Sequence, residues 1–358
     1  MKEQAFEQQL YTIRDRVQGV LRRFFESHIR ETKKIDPLLE QTAGFVRDQT
    51  LNGGKRVRAA LVIQGYLSSK KQSPEELYRI GAAMELVHSF LLIHDDIIDQ
   101  DGLRRGKPSM HTRFQTALRG RIPGKDLNHA SNSLALLAGD IACVWGYELF
   151  ARSKFPADRK IRALAEMNQM IFKCGAGEIL DVDLPYKTKP TERDILKAQF
   201  YKTASYTVEG PLVIGAILGG AKEKTIDNLR RFAKPLGIAF QIQDDILGLF
   251  GDERETGKPM GSDVRQGKQT LLMLYALKHA TSQQRQTILS SLGNKKVTNV
   301  NIQAIRRIVD QTGSLAYSQQ KALRLIQQSK KILATSRIPP PVQHFLFVLA
   351  DYIASRSR

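Results

Sequence analysis

The chain has 358 residues, with 55 Lys and Arg against 36 Asp and Glu, and a formal net charge of +19. Its hydrophobic share of 42% and charged share of 25% exclude a disordered chain and predict a large core. The two cysteines form no CxxC or Cys/His cluster, which argues against a disulfide scaffold and a zinc site. The charge leaves nucleic acid, an anionic membrane surface and a polyanionic substrate open as partners.

Helical periodicity dominates the chain from its start. Between Phe6 and Phe24 the apolar residues recur every three or four positions, which predicts a packed helix, an amphipathic membrane anchor being the alternative. Further helices are predicted over 56–68, 75–100, 128–152, 157–182, 206–220, 223–250, 268–280, 299–312, 314–335 and 341–355. Strand signals are poor, and 119–130 is predicted to be a basic surface loop. We expect residues 1–358 to form a single all-α domain without a membrane-spanning segment.

The helix over 75–100 ends in the sharpest motif of the sequence, His94-Asp95-Asp96-Ile97-Ile98-Asp99. Asp95 and Asp99 share a helix face, since four residues turn about 40° in azimuth and rise about 6 Å. Carboxylates this close repel each other unless a cation lies between them, and oxygen ligands of this kind suit Mg²⁺. The alternative is a solvated acidic helix end. His88 lies two turns before Asp95 on the same face, either as a ligand-binding residue or as a core histidine.

A second acidic pair, Asp244-Asp245, follows Gln241 in another long apolar helix. Alone, such a pair often lies on an ordinary solvated surface and has no metal-binding role. Two pairs at the ends of apolar helices, however, could face each other across a cavity. Together they predict a site where several metal ions bridge the oxygens of a phosphorylated substrate.

Several basic segments accompany these acidic motifs, and the alternative for each is an ordinary solvated surface segment. Gly53-Gly54-Lys55-Arg56-Val57-Arg58 begins a helix, where backbone amides and cations favour an anion. Arg104-Arg105 follows the first acidic motif in a tight loop, and Lys202-Thr203 offers an ammonium and a hydroxyl to an anion. Two glycine-lysine segments that suit an anion-binding lid are Gly257-Lys258-Pro259 and Gly267-Lys268-Gln269-Thr270.

Read in order, GGKRVR, HDDIID, DGLRRGKP, FYKTASY and FQIQDDILGLFGDERETGKPMGSD resemble the motifs of trans-isoprenyl diphosphate synthases, most closely the geranylgeranyl type. The resemblance runs from about residue 53 to 270. It implies long antiparallel helices around a deep central cavity and a homodimer, and we expect a cytoplasmic location. The implied reaction is a Mg²⁺-dependent head-to-tail condensation of isopentenyl diphosphate with an allylic diphosphate.

The resemblance also implies a role for each matching residue. Asp95, Asp99 and Asp244, supported by Asp245, would bind about three Mg²⁺ ions and, with Lys202, form the catalytic set. The residues implied for isopentenyl diphosphate are Lys55, Arg58, His88 and Arg105. Those implied for the allylic diphosphate are Arg104, Lys202, Thr203, Gln241, Lys258 and Lys268. One departure is Gly248, which stands where many farnesyl-type enzymes have a third Asp and which fits a single metal ion at the second motif.

Product length is predicted to depend on residues just before the first acidic motif. In the resembling family, bulky residues there form a floor that stops chain growth, and the matching residues are Phe90, Leu91 and Val87. A single aromatic residue five positions before the motif is typical of geranylgeranyl synthases. On an ideal helix, however, Phe90 lies about 140° from Asp95, so Phe90 as plain core or interface is the alternative.

Three other functions compete with this interpretation. A longer- or shorter-chain polyprenyl synthase differs only in the product. A terpene cyclase would need Asn/Asp, Ser/Thr and Glu in its second metal motif, where this chain has an Asp pair. A nucleic-acid-binding protein would need a basic stripe with interleaved aromatics, and the sequence shows none, so we expect no nucleic acid partner. Eight candidate diphosphate contacts, Arg56 among them, explain only part of the excess charge, and weak contact with an anionic membrane stays open.

Overall fold

The computed structural model describes residues 2–251 and 260–355. Its helices, labelled α1 to α16 in chain order, are Lys2–Lys33, Pro37–Leu51, Val57–Leu67, Glu76–Ile98, Met110–Leu118, Gly124–Ala151, Ala157–Asp183, Glu192–Gln199, Gly210–Gly219, Glu223–Phe250, Ser262–Gln266, Leu271–His279, Ser282–Ser291, Asn299–Gln311, Ser314–Ala334 and Pro340–Ser355. A 3₁₀ turn covers Leu184–Tyr186, a π-helical segment covers Phe200–Glu209, and β1 (Leu103–Arg104) pairs antiparallel with β2 (Lys107–Pro108). The predicted all-α class is confirmed.

Several predicted boundaries were wrong. The basic segment 119–130 is not all loop, because α6 already begins at Gly124. The residues between Arg104 and Pro108 form a short hairpin rather than a plain loop. Lys202-Thr203 lies within the π-helical segment that joins α8 to α9, whereas the predicted helix began only at residue 206. In the first two cases the predicted loop rested on glycine, proline or polar composition, which tertiary packing overrides.

The absence of a membrane-spanning segment stays a prediction. In the part of the chain that the structure describes, one helix, α6, is long and apolar enough to cross a bilayer by length and composition alone. Of its most apolar 18-residue window, 44% is buried inside the fold. Core helices of soluble proteins have the same composition, so the length and composition of α6 do not indicate a membrane span by themselves.

The described residues group into two compact units. Unit 1 holds Glu3–Ile63 and Gln72–Lys160, and unit 2 holds Gln64–Lys71 and the chain from Ile161 onwards. The organisation of the chain as a single domain stays a prediction.

Unit 1 is built on the close packing of α4 against α6. Gly146 of α6 lies directly on α4, since a Cβ atom there would stand 2.9 Å from Val87 Cγ2 and 3.1 Å from Ala83 O. Gly139, two turns earlier, is covered by the ring of His94, 2.5 Å from where its Cβ would be. These small residues allow the two helix backbones to approach, which fixes the end of α4 that carries the first acidic motif.

Unit 2 is built around α10, which packs against α15 and the π-helical segment. Gly237 of α10 lies against Ala204, whose Cα is 2.5 Å from the place of a Cβ at Gly237. On the opposite side, Ser329 of α15 donates a hydrogen bond to the backbone oxygen of Phe232 at 2.8 Å. The contact with Ala204 holds the second acidic motif, on α10, next to Lys202 and Thr203 of the π-helical segment.

Candidate active site

The first acidic motif closes α4 as its spacing predicts. The Asp99 N–H donates to the Asp95 backbone oxygen at 2.8 Å, so the helical turn continues to Asp99. Asp95 and Asp99 each have a carboxylate oxygen within 4.8 Å of one on the other. Two ligands of Mg²⁺ at about 2.1 Å each lie at most about 4.2 Å apart, so a small side-chain rotation brings both oxygens onto one ion, and this donor pair fits Mg²⁺.

Asp96 has a different task from its two neighbours. Its side chain is fully buried, and its Oδ1 accepts a hydrogen bond from Arg104 Nε at 2.7 Å. Arg104 Nη2 also donates to Asp95 Oδ2 at 2.8 Å. Burial alone would lower the pKa of Arg104, but the carboxylates of Asp96 and Asp95 raise it instead. The hairpin thus presents a permanently charged guanidinium against the first acidic motif.

The turn between α2 and α3 carries the GGKRVR motif. Gly53, Gly54 and Arg56 have φ angles of 70°, 89° and 54°, and such left-handed angles are unstrained only for glycine. Arg105 Nη1 donates to the Asn52 backbone oxygen at 2.6 Å. Its guanidinium covers Gly54, with Nη2 3.5 Å from where a Cβ would be, so the turn and Arg105 depend on each other.

A cavity in unit 1 opens beside this turn, and Arg56, His88, Arg104 and Arg105 line it together with Arg113. His88 is 7% exposed. Its pKa is well below the usual range, chiefly because burial disfavours the charged imidazole, with further repulsion from Arg58 and Arg105. The ring is therefore neutral near pH 7 and suits a hydrogen bond to an anion.

The adjacent residues Lys55 and Arg56 of the motif differ in position. Lys55 is exposed, and its Nζ lies 3.9 Å from Glu7 Oε1. Arg56 faces the other way: it is 3% exposed and donates to Glu85 Oε2 and to the Thr50 backbone oxygen, both at 2.6 Å. Arg56, counted among the diphosphate contacts from the sequence, is thus held inside the fold by protein partners.

Lys202 anchors the corresponding site in unit 2. Its Nζ lies 2.9 Å from Glu178 Oε2 and 2.8 Å from Asp181 Oδ2, both on α7. Gly177 brings the two backbones together, because a Cβ there would lie 2.5 Å from Lys202 Cα. Sequence reasoning missed Glu178 and Asp181, although their i, i+3 spacing on a predicted helix was a usable signal.

The second acidic motif is tied to Thr203 by a chain of hydrogen bonds. Thr203 Oγ1 donates to Gln241 Oε1 at 2.6 Å, and Gln241 Nε2 donates to Asp245 Oδ1 at 2.7 Å. Gln199 Nε2 donates to Asp245 Oδ2 at 2.9 Å, which occupies the second oxygen. Burial is the main cause that raises the pKa of Asp245 well above its usual value, followed by the charge of Asp263.

These contacts give the two neighbours Asp244 and Asp245 different environments. Asp245 is 8% exposed and bonded on both oxygens, whereas Asp244 is half-buried. Asp244 is thus the more exposed residue of the pair. Next to them, a Cβ at Gly248 would lie 2.8 Å from Asp263 Oδ2, so the Asp263 carboxylate lies directly against Gly248.

The other predicted residues have these positions. Val87 is buried against Gly146, Leu91 is half-buried, and the ring of Phe90 meets that of His94 edge to face with centroids 4.8 Å apart. Lys268 is half-buried, and its backbone N–H donates to the backbone oxygen of Asp263 at 2.9 Å. Lys258 lies outside the described residues.

Acidic motifs at the ends of long helices, with arginine and lysine beside them, are features of an enzyme that acts on a diphosphate. The sequence model of the polyprenyl synthetase family matches residues 40–309, and the chain belongs to this family of prenyltransferases. The predicted family is thereby confirmed.

Three relatives show how close the match is. The geranylgeranyl diphosphate synthase of Sulfolobus acidocaldarius is 33% identical over 72% of this chain and 73% of its own. The geranylfarnesyl diphosphate synthase of Aeropyrum pernix is 30% identical over 85% of this chain and 91% of its own. The crystal structure of a geranylgeranyl pyrophosphate synthase from Corynebacterium glutamicum, complexed with isoprenyl diphosphate and magnesium, superposes with a TM-score of 0.90 at 30% identity, covering 97% of this chain and 98% of that one.

Proposed function

We propose that the protein condenses isopentenyl diphosphate head to tail with an allylic diphosphate and releases geranylgeranyl diphosphate. The observation that carries this proposal is the Asp95–Asp99 pair, with Arg104 held against it, inside a chain of the polyprenyl synthetase family. A geranylgeranyl product is supported by the names of relatives over most of their length.

The proposed site residues bind two different diphosphates. Asp95 and Asp99 in unit 1 and Asp244 in unit 2 would hold about three Mg²⁺ ions. When bound, Mg²⁺ neutralises charge on the departing diphosphate of the allylic substrate. Arg104 and Lys202 add fixed positive charge for the same group, and we assign Thr203, Gln241, Lys258 and Lys268 to it as well. A further role of Gln241 is to orient Thr203, with which it shares a hydrogen bond.

The second substrate binds at the arginine-lined cavity of unit 1. Lys55, Arg58 and Arg105 supply charge to the isopentenyl diphosphate oxygens, and the neutral His88 supplies a hydrogen bond. Holding this substrate by its diphosphate leaves its double bond free to attack the allylic cation. The proton then leaves the new chain, and we assign its acceptance to the released diphosphate.

Chain growth would stop at Phe90, with Leu91 and Val87 behind it. A longer product is the second candidate, because one relative that covers 85% of this chain is named a geranylfarnesyl synthase. The edge-to-face contact with His94 holds the Phe90 ring along α4, so its bulk lies within about two turns of the acidic motif.

The surface of two helices supports a homodimer. On α6, Leu137 and Val144 are 57% and 64% exposed, and on α7, Phe172 and Ile179 are 68% and 72% exposed. Apolar side chains this exposed in helix middles are typical of an interface. We also propose a cytoplasmic location, which fits Cys143 and Cys174, neither of which forms a disulfide. Light scattering should give twice the chain mass, and Val144→Glu should shift it towards a monomer.

The product assay tests the central proposal. The protein is incubated with Mg²⁺, isopentenyl diphosphate and each allylic primer in turn, and the products are sized by mass spectrometry. We expect a twenty-carbon product. A twenty-five-carbon product would favour the second candidate, and no condensation with any primer would refute the proposed reaction.

A further inference from the structure

A buried ion pair contributes one of its residues, Arg56, to the wall of the arginine-lined cavity of unit 1. Arg56 Nη1 donates to Glu85 Oε2 at 2.6 Å, and the two side chains are only 2% and 4% exposed. Removing two charges from water is expensive, and such a pair is often no more stable than apolar residues of the same size. Its presence therefore calls for a reason other than stability.

The contacts of Arg56 tie three helices to one point. Its Nη2 donates to the backbone oxygen of Thr50 in the last turn of α2, while its partner Glu85 lies in the middle of α4. Arg56 itself stands one residue before α3, with a φ of 54° that is unfavourable for a side chain. Without the pair, this backbone conformation would have little to hold it.

A second layer of hydrogen bonds extends the pair towards His88. Thr50 Oγ1 donates to Ser89 Oγ at 2.9 Å, and Ser89 Oγ donates to the Glu85 backbone oxygen at 3.0 Å. All these groups are buried. The network thus joins the end of α2 to the turn of α4 on which His88 stands.

Arg105 also holds the turn at residues 53–56. Arg105 Nη1 bonds the Asn52 oxygen, and its guanidinium lies over Gly54. Burial lowers the pKa of Arg105, and Glu85 is the largest opposing influence, favouring its charged form. The Glu85 carboxylate therefore compensates two arginines of the cavity wall, Arg56 and Arg105.

We propose that the Arg56–Glu85 pair is a positioning device that sets the turn at residues 53–56 so that Lys55, Arg58 and Arg105 converge on the isopentenyl diphosphate. This inference rests on the proposed function. Arg56 and Glu85 both act through the turn: Glu85 is not among the residues that line the cavity, and Arg56, which does line it, directs Nη1 and Nη2 to protein oxygens.

The direction in which one substitution changes diphosphate affinity separates this positioning role from a role in charge alone. Glu85→Gln removes a negative charge close to the anion site, so a role limited to charge predicts tighter diphosphate binding. Loss of positioning predicts weaker binding, by roughly tenfold or more, since a displacement of about 1 Å costs that much in a preorganised site. Binding of inorganic pyrophosphate and of isopentenyl diphosphate is measured by calorimetry on the full-length protein without an allylic primer.

Glu85→Gln should weaken binding of isopentenyl diphosphate and raise its KM, with kcat and the KM of the allylic substrate changed much less. Arg56→Lys, which keeps the charge but cannot make both bonds, should act in the same direction if Glu85→Gln fails to fold. The double variant should be no worse than the poorer single variant, because the pair acts as a unit. Glu223→Gln, in the exposed pair with Arg162, is the matched control.

Tighter or unchanged binding in Glu85→Gln or Arg56→Lys would overturn the inference, as would an equal loss for both substrates. The wild-type protein separates this failure from that of the proposed function. If the wild type condenses isopentenyl diphosphate and the variants bind it normally, only the positioning role is wrong. If the wild type neither binds nor condenses it, the proposed function is wrong.

Discussion

Two glycines of α7 offer a matched pair of substitutions that tests how Lys202 is positioned. Gly177 faces the π-helical segment, where a Cβ would lie 2.5 Å from both Lys202 Cα and the Tyr201 carbonyl carbon, and closer still to the Lys202 nitrogen. Ordinary van der Waals contact begins at 3.4 Å, so the backbone that carries Lys202 must move by about 0.9 Å or more. Gly175, half a turn earlier, meets nothing within 4 Å.

The two alanine variants should therefore change stability in opposite directions. Gly175→Ala gains helix propensity, about 0.5–1 kcal/mol of unfolding free energy. Gly177→Ala gains the same propensity but is overpacked against backbone, at a cost of about 1–3 kcal/mol or more. Urea unfolding followed by circular dichroism measures both.

Turnover is the second measurement on the two glycine variants. Moving Lys202 by about 1 Å should lower kcat by up to about 10²-fold in Gly177→Ala, because the ammonium would no longer lie where the leaving diphosphate develops its charge. Gly175→Ala should keep the wild-type kcat. A Gly177→Ala protein with wild-type stability and turnover would refute the close approach of α7 to Lys202.

Two further predictions concern pH and product length. The folded protein keeps His88 neutral, whereas the unfolded chain protonates it near its ordinary pKa of about 6.5. The contribution of His88 to the unfolding free energy should therefore be fully present above about pH 6.5. Below that pH, the unfolding free energy should decrease by up to about 1.4 kcal/mol per pH unit. His88→Gln should lose this part of the slope in urea unfolding between pH 7 and pH 5, and an identical slope would contradict the buried neutral ring. Phe90→Ala should accumulate longer prenyl chains in the mass-spectrometric assay, and an unchanged product would remove Phe90 from the floor.

Local patterns in the sequence were sufficient for most helices and the acidic motifs, whereas helices α2, α5, α8, α11 and α13 were not predicted. The helix over 223–250 was predicted to the residue, because an apolar face with clear flanking breaks sets both ends. The Asp95–Asp99 pair followed from helical spacing alone. By contrast, Pro123-Gly124 reads as a turn, yet α6 begins there, since proline is also favoured next to a helix start.

Partners distant in sequence could not be predicted in this way. Glu85 is 29 residues from Arg56, and nothing in either neighbourhood shows that Arg56 is buried while Lys55 is exposed. Lys202 likewise meets Asp181 across 21 residues through a π-helical segment, which periodicity does not distinguish from an α-helix. These pairings depend on how whole helices pack, which composition and spacing leave undetermined.

The most direct test of the proposed reaction is the Mg²⁺ dependence of turnover in the wild type and in Asp95→Asn. Asp15→Asn, on the exposed surface of α1, is the matched control. We expect the wild type and Asp15→Asn to release diphosphate only when Mg²⁺ is added back after chelation. Asp95→Asn should lose at least about 10³-fold in kcat, because the neutral amide withdraws a charged ligand from the metal site, while its circular dichroism stays that of the wild type. Near-normal turnover of Asp95→Asn, or turnover of the wild type in the chelator, would contradict the account.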